Sequence, residues 1–480
     1  MTSAYRSMGS VAVIIGVAAA CGSARAGVLT SFAPGDLVIS TVTSSTGNLD
    51  SAGPITLEEL ALGSGGTSAT SVGTLALPQN QSGANYPISG EYGSASEGVL
   101  QRSANGEYLT IMGYGVNANT FNNAAGAGYG TTALGQTTSV TGTGNTVVPR
   151  VVALIGPNGS VDTTTALTGV FNQNNPRSAT TVNGSQIYVS GQGASEGDST
   201  EGVFLANRGA TTATPIYTGT DTRIVSIFNT GSGDTLYVSR DVNPPGSGGQ
   251  NETDVNKFGS GGLPTTATSL TRVVPSVPSV TGGNYGSIDL PTDGSLSNNV
   301  NASREGKFVY LSPESYFFAS PDVLYVADSG SPKNGNANKA ALGEGGLQKW
   351  VLQGSQWDLV YDLYQGLNLV NNANADSGMP TAPGVTGLYG LTGKVIDGQV
   401  ELFATTYGLN ELSPSYLYEI TDPLNALTYT AGEQFTQLYS APLGTAVRGV
   451  AFAPVPEPGT LAILGGGVLM LGLVRRRRNR

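Results

Sequence analysis

The carboxylates are the first place to look for chemistry, and the densest group is Glu196, Asp198 and Glu201. Acids at that spacing suit the oxygen shell of a calcium ion, although the Asp-x-Asp-x-Asp-Gly order of a recognised calcium loop is missing. A solvated turn would space its acids in the same way. Trp350 and Trp357 fall on adjacent predicted strands of one repeat and could stack on a sugar ring. Packing between sheets is the more ordinary use of such large aromatics. Two carboxyl groups about 5 to 9 Å apart would suffice to cleave a glycosidic bond, but the other acids are scattered and no pair is picked out. A lyase using tyrosine or arginine as its base has no local motif to support it either.

Other chemistries are removed outright. The 480 residues contain no histidine and one cysteine, Cys21. A Ser-His-Asp or Cys-His site therefore cannot form, nor can a His-ligated zinc, copper, haem or non-haem iron centre. No Gly-rich stretch is followed by Gly-Lys-Ser or Gly-Lys-Thr, so phosphate cradling is not expected, and calcium is the one ion the composition leaves open. The formal charge is −11 for the whole chain, and seven of the arginines fall in residues 1–26 or after Gly459, so the stretch between carries −18. That sign repels phosphate backbones and anionic lipid, which argues against a nucleic-acid partner. A well-solvated surface has the same composition.

The two ends of the chain have a different composition from its body. Arg6, the apolar run Val11 to Ala20 and the small residues Ala24 and Ala26 read as a secretory signal, residues 1–26, cut by signal peptidase after Ala26. The competing readings are a permanent anchor, for which the run is short, and lipid attachment at Cys21, for which position 18 is an alanine rather than a larger aliphatic residue. At the other end stand Pro456, Glu457 and Pro458, then the apolar or small stretch Thr460 to Val474, then Arg475, Arg476, Arg477 and Arg478. Four arginines directly after an apolar helix stop transfer and stay on the cytoplasmic side, leaving the body outside.

This tripartite tail, residues 455–480, resembles the PEP-CTERM sorting signal of Gram-negative bacteria that make exopolysaccharide. The resemblance implies an exosortase as processing partner, contact with the membrane only through the tail helix before processing, and a destination at the cell surface or outside the cell. An ordinary single-pass anchor with a chance Pro-Glu-Pro linker is the competing reading. The tail says nothing about what the body binds.

The body, residues 27–454, reads as all-β. Amphipathic helices are nearly absent, and short runs rich in Val, Ile, Tyr, Phe and Thr alternate with Gly, Asn, Ser and Asp turns. One strand type recurs: Asp36 to Ser40, Glu107 to Met112, Gln186 to Ser190, Thr235 to Ser239, Val323 to Ala327 and Val400 to Ala404. Each copy has other short strands around it, the pattern of a β-propeller with about six four-stranded blades. Residues 281–320 leave room for a degenerate seventh. The last body strand, Val447 to Ala453, resembles a blade-opening strand, and the first repeat lacks one, so the C-terminal strand is expected to complete the N-terminal blade. A β-sandwich array or a β-solenoid is the competing architecture. Together these readings describe an exported, non-catalytic protein with a structural or adhesive role near exopolysaccharide. The alternatives are a secreted propeller enzyme acting on matrix polysaccharide and a calcium-dependent binding module.

Overall fold

The computed structural model describes residues 27–44, 47–242, 252–274, 287–289, 308–310, 312–330, 345–369, 384–408 and 414–456. The expected signal peptide and tail helix lie outside the described residues, as do Glu457, Pro458 and the four arginines. The fold is all-β, with one short helix, Ala118–Asn123, and one 3-10 turn among the described residues.

Strands pair antiparallel into six four-stranded units. In chain order of their second strands, unit 1 holds Thr445–Phe452, Leu37–Thr43, Ala52–Leu62 and Ala69–Ala76. Unit 2 holds Gln101–Arg102, Leu109–Tyr114, Arg150–Ile155 and Val161–Leu167. These two are arms of one curled ten-stranded sheet, joined where Ala52, Gly53 and Pro54 pair with Ser89–Glu91. Four separate sheets run on from Pro176–Thr181 (unit 3), Val225–Asn229 (unit 4), Pro313–Ser320 (unit 5) and Val385–Ile396 (unit 6). The described residues between 281 and 320 add only a two-stranded pair, Ser287–Asp289 with Phe308–Tyr310, outside these units. The C-terminal strand pairs with Leu37–Thr43, so the first unit is built from both ends of the body, as its sequence led us to expect.

The hydrophobic pattern explains why the units stack. Second strands are buried on both faces, as in Gln186–Gly191 and Val323–Asp328, and read as near-continuous apolar runs. Fourth strands such as Thr436–Ser440 stay largely open to solvent. Each unit covers its neighbour: Tyr188, Val203, Leu205 and Ile216 of unit 3 share one core with Val225, Leu236 and Phe258 of unit 4. Phe403 and Leu417 of unit 6 share another with Leu37, Val447 and Phe452 of unit 1. First strands touch in the cyclic order 1-2-3-4-5-6-1. Outside unit 1, short turns join the first and second strands; in unit 6, Asp397 (φ 50°) and Gly398 (φ 77°) both take the left-handed region that a two-residue hairpin of type I′ demands.

A hydroxyl recurs at the joints. Ser40 Oγ donates to the Gly98 carbonyl of unit 2 at 2.7 Å, Thr110 to Ala179 of unit 3 at 2.6 Å, and Ser190 to Arg223, just before unit 4, at 2.7 Å. Ser239 donates to Glu314 of unit 5 at 2.7 Å, and Thr405 to Arg448 of unit 1 at 2.6 Å. Ser40 and Thr405 also accept a first-strand amide of their own unit, from Gly449 and Gly390, and Ser239 accepts that of Ile224, just before its first strand. The joint between units 5 and 6 is made differently. There Gly387 lies against the Asp328 carbonyl so closely that a Cβ would come within 2.1 Å of it.

Candidate functional site

Around the ring, each unit contributes one large polar side chain from its first strand or the residues leading into it: Arg448, Glu97, Arg177, Arg223, Glu314 and Tyr389. Tyr389 of unit 6 feels the charges of Glu314, Arg177, Arg448 and Glu97, which come from four other units, and only the ring axis is common to them. Arg177 pairs with Asp221 at 2.9 Å and donates to Gln192 at 2.7 Å. Arg223 stands 3.6 Å from Asp241 and 3.9 Å from Glu314. Nε and Nη1 of Arg177, Nε of Arg223 and Nε of Arg448 are buried without an acceptor among the described residues, and buried donors of that kind are rare enough to mark a site rather than a scaffold.

Above this belt a trough opens. One cavity of about 330 Å³ is lined by Glu91, Ser94, Ser96, Asn175, Arg177 and Arg223, among others. It runs into a second of about 490 Å³, with which it shares Asp50, Glu91 and Asn175 and which extends to Gln136, Gln173 and Ala194. Each is within the size range of small-molecule sites. The walls are loops, held by buried polar residues. Arg150, fully buried, has no carboxylate partner among the described residues; it donates to the carbonyls of Phe171, Val148, Thr137 and Asn174 and to the Thr137 hydroxyl, and stacks on Tyr114 at 4.7 Å. Burial pulls its pKa down to about 10, which keeps it charged at neutral pH. Glu91 accepts the Gly135 amide at 2.9 Å, tying the outer wall to the inner one. Beneath it Glu97 accepts the Glu91 amide at 2.5 Å, and burial, then the Glu91 charge, push its carboxyl up to about 8.

The residues singled out in the sequence are placed as follows. Glu196, Asp198 and Glu201 sit on the loop that carries Ala194 of the trough wall. Asp198 accepts the Ala194 and Thr200 amides, and Glu201 the Gly193 and Gly197 amides, so both carboxylates brace their own loop. Glu196 is exposed at its tip, and among the described residues no three acids converge to hold a metal. Trp350 is 1% exposed in the core between units, its indole donating to Gln348 at 3.1 Å. Trp357 is half-buried edge-on against Phe318 at the opposite end of its unit from the trough. Neither ring faces the trough. The belt itself went unread, although one signal for it exists: Arg223 and Arg448 are charges embedded in otherwise apolar, strand-forming runs.

Residues 454–478 match the PEP-CTERM protein-sorting motif. The chain carries an exosortase sorting tail. That tail marks a protein exported across the inner membrane, processed by an exosortase and sorted to the cell surface. No match emerges among curated proteins. Among solved structures, the body is similar to an endo-arabinase from Bacteroides thetaiotaomicron VPI-5482, at 10% identity over 54% of this chain and 77% of that one, with a TM-score of 0.27. It is also similar to a GH32 β-fructofuranosidase from Bombyx mori, at 10% identity over 68% and 62%, TM-score 0.30. A third is a PL25 ulvan lyase bound to a GlcA–Rha3S unit, at 10% identity over 87% and 84%, TM-score 0.32. A likeness at that level carries no argument about ligand or chemistry.

Proposed function

We propose that this is a surface-sorted glycan-binding protein: a six-bladed β-propeller, freed of its signal peptide after Ala26, that holds a polysaccharide of the extracellular matrix in its trough without cleaving it. The observation that carries this reading is the trough's lining. Asn175, Gln192, Ser94 and Ser96 offer neutral donors and acceptors, while Asp50 and Glu91 offer charged acceptors and Arg177 and Arg223 charged donors. A polyhydroxylated chain can use all of these at once, and the two adjoining cavities, about 330 and 490 Å³, give room for more than one sugar unit.

A second reading is favoured by one feature. Asp50 and Glu91 both line both cavities, and a pair of carboxyls is the minimum equipment for glycosidic cleavage. A glycan array probed with residues 27–456, scored together with release of reducing ends, separates the two. Binding without release is the expected result. Release abolished by Glu91→Gln would replace the binding role with a hydrolytic one, and absence of any binding would remove both.

A further inference from the structure

The trough and the two ends of the body lie on opposite faces of the ring, and we infer that the protein is presented with its trough turned away from the envelope surface to which the tail delivers it. What the trough holds rests on the glycan-binding reading; where it points does not.

The argument follows strand direction. In unit 3 the first strand begins at Pro176, opposite Gly191, and ends at Thr181, opposite Ile187. Asn175, Arg177 and Gln192 of the trough all sit at the beginning. In unit 1 the first strand begins at Thr445, opposite Thr43, and ends at Phe452, opposite Leu37. Leu49 and Asp50 of the trough lie in the loop that leaves Thr43, so the trough is again at the beginning of the first strand. The chain departs from the other end.

Two hydrogen bonds fix that departure. The Ala453 amide donates to the Asp36 carbonyl at 2.8 Å, and the Val455 amide to the Gly106 carbonyl at 2.9 Å, in the turn that joins the first two strands of unit 2. The sorting motif starts at residue 454, inside the stretch still bonded to the ring. The sequence continues Pro456-Glu457-Pro458, and each proline ring restricts its own φ. The described chain is thus held against the ring up to the start of the sorting motif. The N-terminal end agrees: Gly27 pairs with Gly73, Gly73 with Glu59, and Glu59 with Val38, one residue from the Leu37 end of its strand. A tether at either end of the body therefore gives the same orientation.

The body contains no cysteine, so single cysteines can report on each face. Thr120→Cys lies on the exposed side of the helix beside the trough face, where Asn122 bonds Ala52; Ser232→Cys lies in the exposed turn joining the first two strands of unit 4, on the tail face. Intact cells carrying an exosortase are treated with a membrane-impermeant polymer maleimide, with the unsubstituted chain as blank. Thr120→Cys is expected to label on cells as fast as in the released, purified protein, whereas Ser232→Cys should label about tenfold more slowly on cells, since thiol reactivity follows access. Equal labelling of both positions on cells, or protection of Thr120→Cys instead, overturns the orientation. Both variants are also assayed for glycan binding once released. Loss of the glycan reading alone would leave the labelling contrast in place.

Discussion

Glu97 is the residue in which site and stability meet. It is 2% exposed, and its carboxyl is raised from 4.5 to about 8, first by burial and then by the neighbouring Glu91 charge, against the opposing pull of Arg448. A carboxyl raised on folding binds its proton more tightly in the native state. Its contribution is therefore complete below pH 4.5 and is lost as pH rises through about 8. Glu433, pushed up to about 7 by burial and by Asp422, titrates in the same window, so only a difference between curves isolates Glu97. The thermal midpoint of the body should fall between pH 5 and pH 8.5, and the fall should be shallower in Glu97→Gln, which keeps the neutral shape at every pH. Parallel curves for the two proteins would mean that Glu97 titrates normally and that the belt is wetter than its burial indicates.

At the scale of elements, five of the six joints depend on a serine or threonine hydroxyl of the second strand and one does not. The fifth unit places Ala327 where units 1, 3 and 4 have Ser40, Ser190 and Ser239. Its joint to unit 6 is made instead by Lys349, which donates to Asp422 at 2.7 Å and to the Pro423 carbonyl at 2.6 Å, while Tyr361 donates to the other Asp422 oxygen at 2.6 Å and Tyr325 adds a further bond. Lys349 and Asp422 are both fully buried. Ser239→Ala should cost about 1 kcal/mol, the net worth of an ordinary hydrogen bond. Asp422→Ala should cost about 3 to 5 kcal/mol, because it strands a buried ammonium. Urea unfolding measures both, and similar losses would deny the ion pair its special place. The recurring strand that carries these hydroxyls was legible, because Val, Tyr and Leu repeat at fixed offsets before the serine. The joining role of the hydroxyl was not, since it depends on a carbonyl 33 to 75 residues away, as for Ser190 with Arg223 and Ser239 with Glu314. The trough was illegible for the same reason. Its walls are loops from units 1 to 4, and Asp50, Glu91, Asn175 and Arg223 share no spacing that would bring them together.

For the whole molecule, the seam in unit 1 decides whether the ring is a single cooperative object. Between the ends of this strand pair lie some four hundred residues, and the pair closes a sheet that would otherwise present Leu37–Thr43 as a bare apolar edge. Such a contact is entropically the most expensive to form and, once formed, the one whose opening releases the most chain. The geometry offers a direct test. The Ser44 amide donates to the Gly444 carbonyl, which makes the adjacent pair, Thr43 and Thr445, one of the non-hydrogen-bonded positions where side chains approach most closely; their hydroxyls are 3.4 Å apart. Cysteines at such positions meet the geometry of a disulfide. In this thiol-free body, Thr43→Cys with Thr445→Cys should raise stability in the oxidised form by up to about 5 kcal/mol through loop entropy, read as a higher urea midpoint that reduction reverses. If the seam is the first contact to open, oxidation should also slow unfolding. A stapled ring that unfolds as fast as the reduced one would place the first opening at another joint, with the contact between units 5 and 6, where Ala327 stands in place of the bridging serine, the next to staple.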